Sequence, residues 1–281
     1  MPALTRSELK KAVQEVVSAP RYDSQSYVDG YLKVHMNRFA ETIFLLQGIV
    51  GQEMRVVDVG SYGSLVPALK DILGLADITA TEPFQEGQPT SEEITLPNTR
   101  DGHRYPYHVD RFDLEGTFPY VDGSFDLVIF TEVLEHLAVD PLHTLSEINR
   151  ITKVGGWLLL STPNCACAKS VLRILRGGNP SFFSVYTRLP SRDRHNREYV
   201  PWEVAELLRS SGYEVARFHT ADVYDAGRAV KLKTFLAKKI LWLTSVLSFG
   251  LITARDRGDT IFAVGRKTSG IQDRYPAFLY V

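Results

Sequence analysis

The strongest constraint on the fold is a repeated pattern in which a short apolar run ends at a polar residue or glycine and a helical segment follows. Residues 55–60 (RVVDVG) form the first such run, and residues 125–130 (FDLVIF) form the most apolar one. Continuous apolar runs of about four to eight residues are typical of strands buried on both faces of a parallel sheet. The alternation of strands and helices predicts an α/β protein with a doubly wound sheet, whose ligand lies at the carboxyl ends of the strands.

The remaining elements are predicted from apolar periodicity and from residues typical of turns. Two N-terminal helices are expected between residues 7 and 47, with a break near Pro20. Further helices are expected at residues 67–73, 141–152 and 201–211. Gly155 and Gly156 are expected to stop the helix that ends near residue 152. Further strands are expected at residues 77–81, 157–161, 213–218 and 260–264. Residues 85–111 are rich in Pro, Gly, Thr, Glu and Arg, which predicts a long loop or a small insertion.

The composition excludes several classes of protein. The chain has 281 residues, of which 44% are hydrophobic and 23% charged, so disorder, collagen and coiled coils are excluded. There are 32 Lys and Arg residues against 33 Asp and Glu residues, and the net charge of −1 gives no general attraction to nucleic acid. We therefore expect one globular domain with insertions and no nucleic-acid partner.

Two features predict a cytoplasmic protein. Cys165 and Cys167 are separated by a single residue, which is poorly suited to a disulfide and favours a reducing compartment. The N-terminus is charged and lacks the continuous apolar stretch of a signal peptide.

One apolar segment leaves three interpretations open. Residues 240–254 form an apolar stretch of 15 residues. This is shorter than the ~20 residues that a membrane-spanning helix needs. Lysines precede it, and Arg255 and Arg257 follow it. The segment is expected to be a buried helix, a lid over the substrate, or a helix that lies in the membrane surface. In the last case, residues 231–257 would make peripheral contact with the inner face of the membrane.

The turn after the first strand indicates the kind of cofactor. Residues 58–64 (DVGSYGS) match neither the G-x-G-x-x-G pattern nor a Walker loop, so a cofactor with a pyrophosphate is disfavoured. Glu82 follows at the end of the second strand, where a carboxylate can accept two hydrogen bonds from a ribose diol. Together the two features predict a cofactor that contains an adenosine without phosphates.

These segments resemble the class I S-adenosylmethionine-dependent methyltransferases, particularly the broad group that includes small-molecule and glycan methyltransferases. The likeness covers residues 56–266 and is carried by VVDVGSYGS, TEP, FDLEGTFPYVDGSFDLVIFTEVLEHL, EINRITKVGGWLLLSTPN and HNREYVPWEVAELLRSSGYEV. The resemblance implies a seven-stranded Rossmann-like sheet with N-terminal helices and insertions. The expected organisation is a helical cap (1–50), a methyltransferase domain (51–268) with insertions at 85–111, 165–197 and 225–258, and a C-terminal tail (269–281).

The resemblance also implies roles for residues around the cofactor, S-adenosyl-L-methionine. Asp58, Gly60 and Ser61 would line its methionine part, and Glu82 would hold the ribose. The adenine would be met by Asp113 and Leu114. Thr131 and Glu132 would border both cofactor and acceptor.

The first turn departs from the family pattern in one respect. Glycines usually stand two, four and six residues after the acid, whereas this chain has Gly60, Tyr62 and Ser64, with Gly63 out of phase. We therefore expect a differently shaped turn in which Tyr62 covers the cofactor.

The implied reaction is an in-line displacement at the sulfonium methyl, in which the enzyme aligns nucleophile, methyl and leaving sulfur. A hydroxyl acceptor needs a general base. His136 is the first candidate because a neutral imidazole accepts a proton near pH 7, and His195 is the second. The alternative for His136 is orientation of the loop after the fourth strand, and the alternative for His195 is a structural loop contact.

The sequence is consistent with either a metal-dependent or a metal-free reaction. Glu132, Glu135, His136 and His195 match the pattern of the metal-dependent small-RNA 2′-O-methyltransferases, in which two Glu and two His hold a divalent ion. The Glu-Val-Leu-Glu-His string is also common in the wider metal-free group, and the chain lacks a basic surface interleaved with aromatic residues. We therefore expect no metal.

The acceptor is inferred only indirectly. Residues 272–280 are similar to the tails of bacterial methyltransferases associated with surface polysaccharide synthesis. Together with the basic apolar segment 231–257, they favour O-methylation of a sugar or lipid-linked glycan hydroxyl. The alternatives are O-methylation of a small aromatic or polyketide-type metabolite, a non-catalytic methyltransferase-like binding protein, and an NAD-dependent dehydrogenase.

Overall fold

The structure is a computed structural model that describes residues 4–17, 33–98, 102–181, 194–224, 228–247, 249 and 253–281. For residues 228–231 only the backbone is described. The expected break near Pro20 and part of the expected insertion at 165–197 lie outside the described residues.

A single sheet organises the described part of the chain. Its strands are β1 (Arg55–Asp58), β2 (Asp77–Glu82), β3 (Ser91–Pro97), β4 (Arg104–Arg111), β5 (Phe125–Thr131), β6 (Thr152–Pro163), β7 (Tyr213–Ala221) and β8 (Thr260–Lys267). Their order across the sheet is β3-β4-β2-β1-β5-β6-β8-β7. The strands from β4 to β6 in this order are parallel, whereas β3 and β8 run antiparallel to their neighbours. The predicted α/β, doubly wound sheet is confirmed.

The number of strands differs from the seven that were expected. Residues 85–111 were expected to form a loop or insertion, but most of them form the antiparallel pair β3 and β4. Strand β4 also pairs in parallel with β2 and is therefore integral to the sheet. Buried and more exposed residues alternate along β4, so its apolar residues are interrupted by charged ones, by Pro106 and by His108. The sequence therefore lacks the continuous apolar run that revealed the central strands.

The glycine pair after the fourth helix also behaves differently from expectation. The helix ends at Ile151, close to the predicted bound, but β6 begins at Thr152 and continues through Gly155 and Gly156. The pairing with β5 shifts register at this point. A Cβ on Gly156 would lie 2.9 Å from the Asp126 carbonyl oxygen, so the glycine permits this close approach of two backbones.

Helices cover both faces of the sheet. They are α1 (Arg6–Val17), α2 (Lys33–Leu46), α3 (Val66–Asp71), α4 (Pro141–Ile151), α5 (Ala168–Leu175), α6 (Pro201–Ser210) and α7 (Arg228–Leu247). A 3₁₀ turn spans Leu134–His136. The start of α4 is fixed because the Asp140 carboxylate accepts hydrogen bonds from the backbone of Leu142 and His143. In the described part of the chain, no helix is long and apolar enough to cross a membrane.

Two hydrophobic clusters hold these layers together, one on each side of the sheet. Val56 and Leu127 belong to the cluster that includes buried residues of α1, α2 and α3. Their strand neighbours Val57 and Val128 belong to the cluster that includes residues of α4 and α6. This alternation follows from the two-residue period of a strand, and each fully buried aliphatic side chain contributes about 1.5–3 kcal/mol. The packing holds the carboxyl ends of β1 and β5 side by side.

Candidate active site

A cavity of about 1070 Å³ lies at the carboxyl ends of the parallel strands. Its walls come from residues that follow β1, β2, β4 and β5, and from helix α2. Ligands of doubly wound sheets bind at this edge, where the crossovers on either side of the first strand diverge. The cavity is large enough to hold a cofactor together with a small acceptor.

Asp58 ends β1 at the bottom of this cavity and is fully buried. Among the described residues, neither of its carboxylate oxygens has a well-aligned hydrogen-bond partner. Burial raises the pKa of Asp58 to about 7, although the nearby Ser61 side chain and then the positive charge of Arg38 act in the opposite direction. A buried carboxylate without a well-aligned partner is costly, and a cationic ligand group would satisfy it.

The turn after Asp58 depends on two glycines for different reasons. Gly60 has a φ of +71°, and a Cβ there would lie 2.7 Å from Cγ2 of Val133. Its backbone N–H donates to Thr81 Oγ1 at 2.9 Å. Gly63 has a φ of +69°, and its Cβ would collide with the Tyr107 hydroxyl, so packing against β4 explains this out-of-phase glycine.

The predicted cofactor residues divide into two groups. Those that line the cavity are Asp58, Gly60, Ser61, Tyr62, Asp113, Leu114 and Thr131. Gly63 and Glu82 are not among the residues that line it. Glu82 instead accepts a hydrogen bond from Arg111 Nε at 2.9 Å, through its Oε2 atom. Its ribose-binding role therefore stays a prediction.

Glu132 directly follows β5 in a strained backbone conformation. Its φ is 56°, in the left-handed region that non-glycine residues rarely adopt. Ser161 Oγ donates to its Oε1 atom at 2.9 Å, and the Tyr224 hydroxyl donates to its Oε2 atom. Such strain is commonly found at functional sites, where the surrounding structure maintains it.

His136 and His195 meet at the rim of the cavity. Their ring centroids are 5.0 Å apart, with the rings nearly perpendicular. His136 Nδ1 lies 3.1 Å from the Arg194 carbonyl oxygen, and His195 Nδ1 lies 2.8 Å from Glu198 Oε1. Because both partners can only accept from a ring N–H, we assign the Nδ1 proton to each neutral ring, which puts the basic lone pair on Nε2.

The segment that carries His195 is tied to the 3₁₀ turn that carries His136. The Glu135 carbonyl oxygen accepts from the backbone N–H of Asn196 at 2.7 Å. The Asn196 side chain donates in turn to the His136 carbonyl oxygen at 2.8 Å. The structure thus brings together both histidines that the sequence singled out, together with Glu132, around one cavity.

Glu135 directly precedes His136 in the 3₁₀ turn and was not among the predicted catalytic residues. It is 1% exposed, and Thr162 Oγ1 donates to its Oε2 atom at 2.8 Å. Burial, and then the charge of Glu132, raise the pKa of Glu135 well above its usual range. Glu135, His136 and His195 each offer one ligand atom within 4.8 Å of the others, so these residues can hold a divalent ion.

Helix α2 contributes further residues that the sequence did not reveal. Arg38 is 3% exposed and is the only Lys or Arg among the described residues that line the cavity. Its Nε donates to Nδ1 of His35 at 3.3 Å. Burial, and then the charge of Arg38, lower the pKa of His35 to about 3, so this ring is neutral. The sequence shows a positive charge on the second predicted helix, but the position of Arg38 at the cavity depends on tertiary packing.

Comparison with known proteins agrees with this geometry. A family model described as a methyltransferase domain matches residues 28–217. A "probable S-adenosylmethionine-dependent methyltransferase" of Mycolicibacterium smegmatis is 34% identical over 124 residues, which are 44% of this chain and 41% of that protein. The ubiquinone biosynthesis O-methyltransferase of Thiobacillus denitrificans is 33% identical over 93 residues, which are 33% of this chain and 38% of that protein. The chain thus spans less than half the length of these curated relatives.

Solved structures share the fold. One is a chain of the complex between the Haloferax volcanii Trm112 methyltransferase activator and a methyltransferase, with a TM-score of 0.55 and 20% identity over 92% of this chain and 99% of that one. Another is a Methanosarcina mazei S-adenosylmethionine-dependent methyltransferase, with a TM-score of 0.50 and 13% identity over 79% of this chain and 96% of that one. The family model matches well over half of the sequence, and the sheet order and the cavity at the carboxyl edge of the sheet agree with it. The chain belongs to the class I S-adenosylmethionine-dependent methyltransferases.

Proposed function

We propose that the protein transfers the methyl group of S-adenosyl-L-methionine to a hydroxyl group of a sugar or lipid-linked glycan. The observation that supports this proposal most directly is the convergence of His136, His195 and Glu132 on one cavity with the Asp58 turn. A basic ring nitrogen beside the cofactor position is what a weakly acidic hydroxyl acceptor needs.

The charges in the cavity fit the two ends of the amino-acid part of the cofactor. Asp58 offers a buried carboxylate whose oxygens have no well-aligned hydrogen-bond partner among the described residues, and this carboxylate suits the ammonium group. Arg38 offers a buried guanidinium for the carboxylate. Gly60 leaves room where a side chain would collide with Val133. The cofactor supplies an activated methyl group, and these residues would hold its methionine part at the end of β1.

A hydroxyl acceptor must lose its proton when it is methylated, so the protein needs a base. The bound cofactor would supply the methyl group, with its sulfur as the leaving group, and the hydroxyl proton would pass to a side chain of the protein. We propose that His136 accepts this proton at Nε2, while its Nδ1–H remains bonded to the Arg194 carbonyl. His195 and Glu132 would position the acceptor hydroxyl, because both line the same cavity as His136.

Polar groups at the cavity rim favour a sugar acceptor. Glu132, His136, His195 and Asn196 all line the cavity and can form hydrogen bonds with several hydroxyls at once. A site with many polar groups discriminates against acceptors that leave those groups unpaired.

A small aromatic acceptor is the second candidate. Phe39, Phe84 and Phe112 line the cavity and can pack against an aromatic ring. The relative from Thiobacillus denitrificans is named as an O-methyltransferase of ubiquinone biosynthesis, which agrees with this alternative. A dehydrogenase loses support because the matching family model is that of a methyltransferase domain.

We further propose the expected organisation into a cap (1–50), a methyltransferase domain (51–268) and a tail (269–281). Residues His35, Arg38 and Phe39 of α2 line the cavity, which supports a capping role for the N-terminal segment. A cytoplasmic location is supported by Cys165 and Cys167, which are both free thiols.

Calorimetric titration with S-adenosylhomocysteine, with NADH as the parallel control, tests the cofactor assignment. We expect micromolar binding of the first and none of the second. A methyl-transfer assay with radiolabelled cofactor and separate panels of glycans and phenols then identifies the acceptor class. Transfer to phenols alone would favour the aromatic candidate. Cofactor binding without transfer to any acceptor would favour a non-catalytic binding protein.

A further inference from the structure

Helix α7 reverses the usual pattern of a surface helix, in which large apolar side chains are buried and small or polar ones are exposed. Its buried positions include Thr234 and Ala237, which are small. Its exposed positions carry large apolar side chains, including Leu236, Ile240, Trp242 and Leu243, each more than half exposed. Because residues three and four apart share a helix face, Leu236, Ile240 and Leu243 form a continuous stripe along the outer surface, and Trp242 is exposed beside it. A helix packed only for the stability of a monomer would turn such residues inward.

The charge of this helix is entirely positive. Residues 228–247 contain one Arg and four Lys and no acidic residue, although the whole chain has a net charge of −1. Lys233 and Lys239 are exposed, and Lys239 lies against the ring of Phe235. Lys238 forms an ion pair with Asp222. The stripe is thus accompanied by exposed ammonium groups.

A second helix, which contacts α7, has a similar composition. Helix α5 packs against α7 and also contains no acidic residue. Its last turn exposes Ile174 and Leu175, and Arg173 and Arg176 beside them are exposed as well. Exposed apolar side chains next to cations are therefore found on two contacting helices.

We infer that the exposed face of α7 docks on a membrane surface that contains anionic lipids. Apolar side chains that enter the acyl boundary while basic side chains meet anionic headgroups are the features of helices that lie in the membrane interface. A second copy of the chain is disfavoured as the occupant, because it would bring cationic faces together. Since no helix in the described residues can span a bilayer, the contact is peripheral.

This docking would bring the enzyme to a lipid-linked acceptor, and its biological role therefore rests on the proposed function. A glycan built on a lipid carrier stays at the membrane, so an enzyme held there would meet its acceptor at high local concentration. The lipid contact itself requires neither cofactor nor acceptor, and it can be measured on the protein alone.

The test is cosedimentation of the full chain with vesicles of phosphatidylcholine, with and without phosphatidylglycerol. We expect binding to the anionic vesicles, weaker binding at high salt, and little binding to the neutral ones. The double variant Leu236→Glu, Leu243→Glu should bind at least about tenfold more weakly, because two apolar anchors are lost. Val121→Glu, at an exposed apolar position outside α7, is the matched control and should bind like the wild type.

Two further variants separate the contributions of charge and insertion. The first is the double variant Lys233→Gln, Lys239→Gln, which should weaken vesicle binding about fivefold for each lysine. Its control is the double variant Lys10→Gln, Lys11→Gln, at two exposed positions of α1, which should bind like the wild type. Trp242→Phe should keep binding but abolish the blue shift of tryptophan fluorescence that vesicles induce.

Equal binding by the wild type and the glutamate variant, or no binding to anionic vesicles, would overturn the inference. A dimer that the glutamate variant dissociates, without vesicle binding, would identify a second copy as the occupant instead. Circular dichroism melts establish that the variants fold. Absence of vesicle binding by the wild type, together with methyl transfer to a water-soluble acceptor, would refute the docking and leave the proposed function standing.

Discussion

His136 and His195 face each other nearly perpendicularly, and each directs its Nδ1 at an acceptor outside the pair. This arrangement fixes the ring tautomers and presents Nε2 of His136 as the basic atom. The pair comes from two distant segments, and the hydrogen bonds that Asn196 donates to the carbonyl oxygens of Glu135 and His136 hold these segments together.

Replacing His136 by Ala should slow methyl transfer about 100-fold or more while leaving the affinity for S-adenosylhomocysteine nearly unchanged. A general base contributes on this scale, and the imidazole acts on the acceptor rather than the cofactor. Single-turnover kinetics and calorimetry measure the two quantities. His103→Ala, outside the cavity, is the control. A wild-type rate for His136→Ala would remove its role as base.

Replacing Arg38 by Met should weaken binding of S-adenosylhomocysteine by about 1–3 kcal/mol, since a charged hydrogen-bond partner of the ligand carboxylate is lost. Arg38→Lys, which keeps the charge, should bind with intermediate affinity. Calorimetry on both variants provides the measurement. Equal affinities for the wild type and the Met variant would show that the carboxylate binds elsewhere.

Glu82→Gln should weaken cofactor binding, also by about 1–3 kcal/mol, if the carboxylate accepts hydrogen bonds from the ribose. Arg111 also pairs with Glu92, so Glu92→Gln tests whether any loss comes from the ion pair instead. We expect only the substitution at position 82 to change the affinity in calorimetric titrations. The same loss in both variants would assign Glu82 a structural role.

The buried Asp58 should make stability depend on pH in a definite direction. Its folded pKa of about 7 lies above the unfolded value of about 3.9, so the native state holds this proton more tightly. The contribution of Asp58 is therefore most favourable below about pH 4 and is lost as the pH rises to about 7. Urea unfolding of the wild type and of Asp58→Asn, in the absence of cofactor, should show a difference in unfolding free energy that changes across this window. A difference independent of pH would contradict the raised pKa.

Chelation should leave turnover unchanged, because the proposed base is His136 and no metal is required. The test is necessary because Glu135, His136 and His195 can hold a divalent ion. Steady-state rates before and after exhaustive treatment with EDTA provide the measurement, and metal analysis of the purified protein is the control. Activity lost on chelation and restored by magnesium or manganese would make these residues metal ligands.

The parts of the site that follow strand ends could be predicted from the sequence. Asp58 and Thr131 stand at the ends of predicted strands, whereas Asp113 was assigned through the family resemblance alone, and all three line the cavity. Arg38 could not be identified in this way, since its position over β1 depends on how α2 packs. Likewise, the pairing of β3 with β4 gives no local apolar run, because polar residues alternate with buried ones.

The left-handed backbone at Glu132 is maintained by the contacts of its own side chain. Glycine at this position would relieve about 1 kcal/mol of conformational strain, but it would also remove the carboxylate that accepts hydrogen bonds from Ser161 and Tyr224. Because loss of the acceptor of a buried hydroxyl costs about 1–3 kcal/mol, these contacts more than offset the strain. Selection for thermal stability alone should therefore retain glutamate here, even without a screen for methyl transfer.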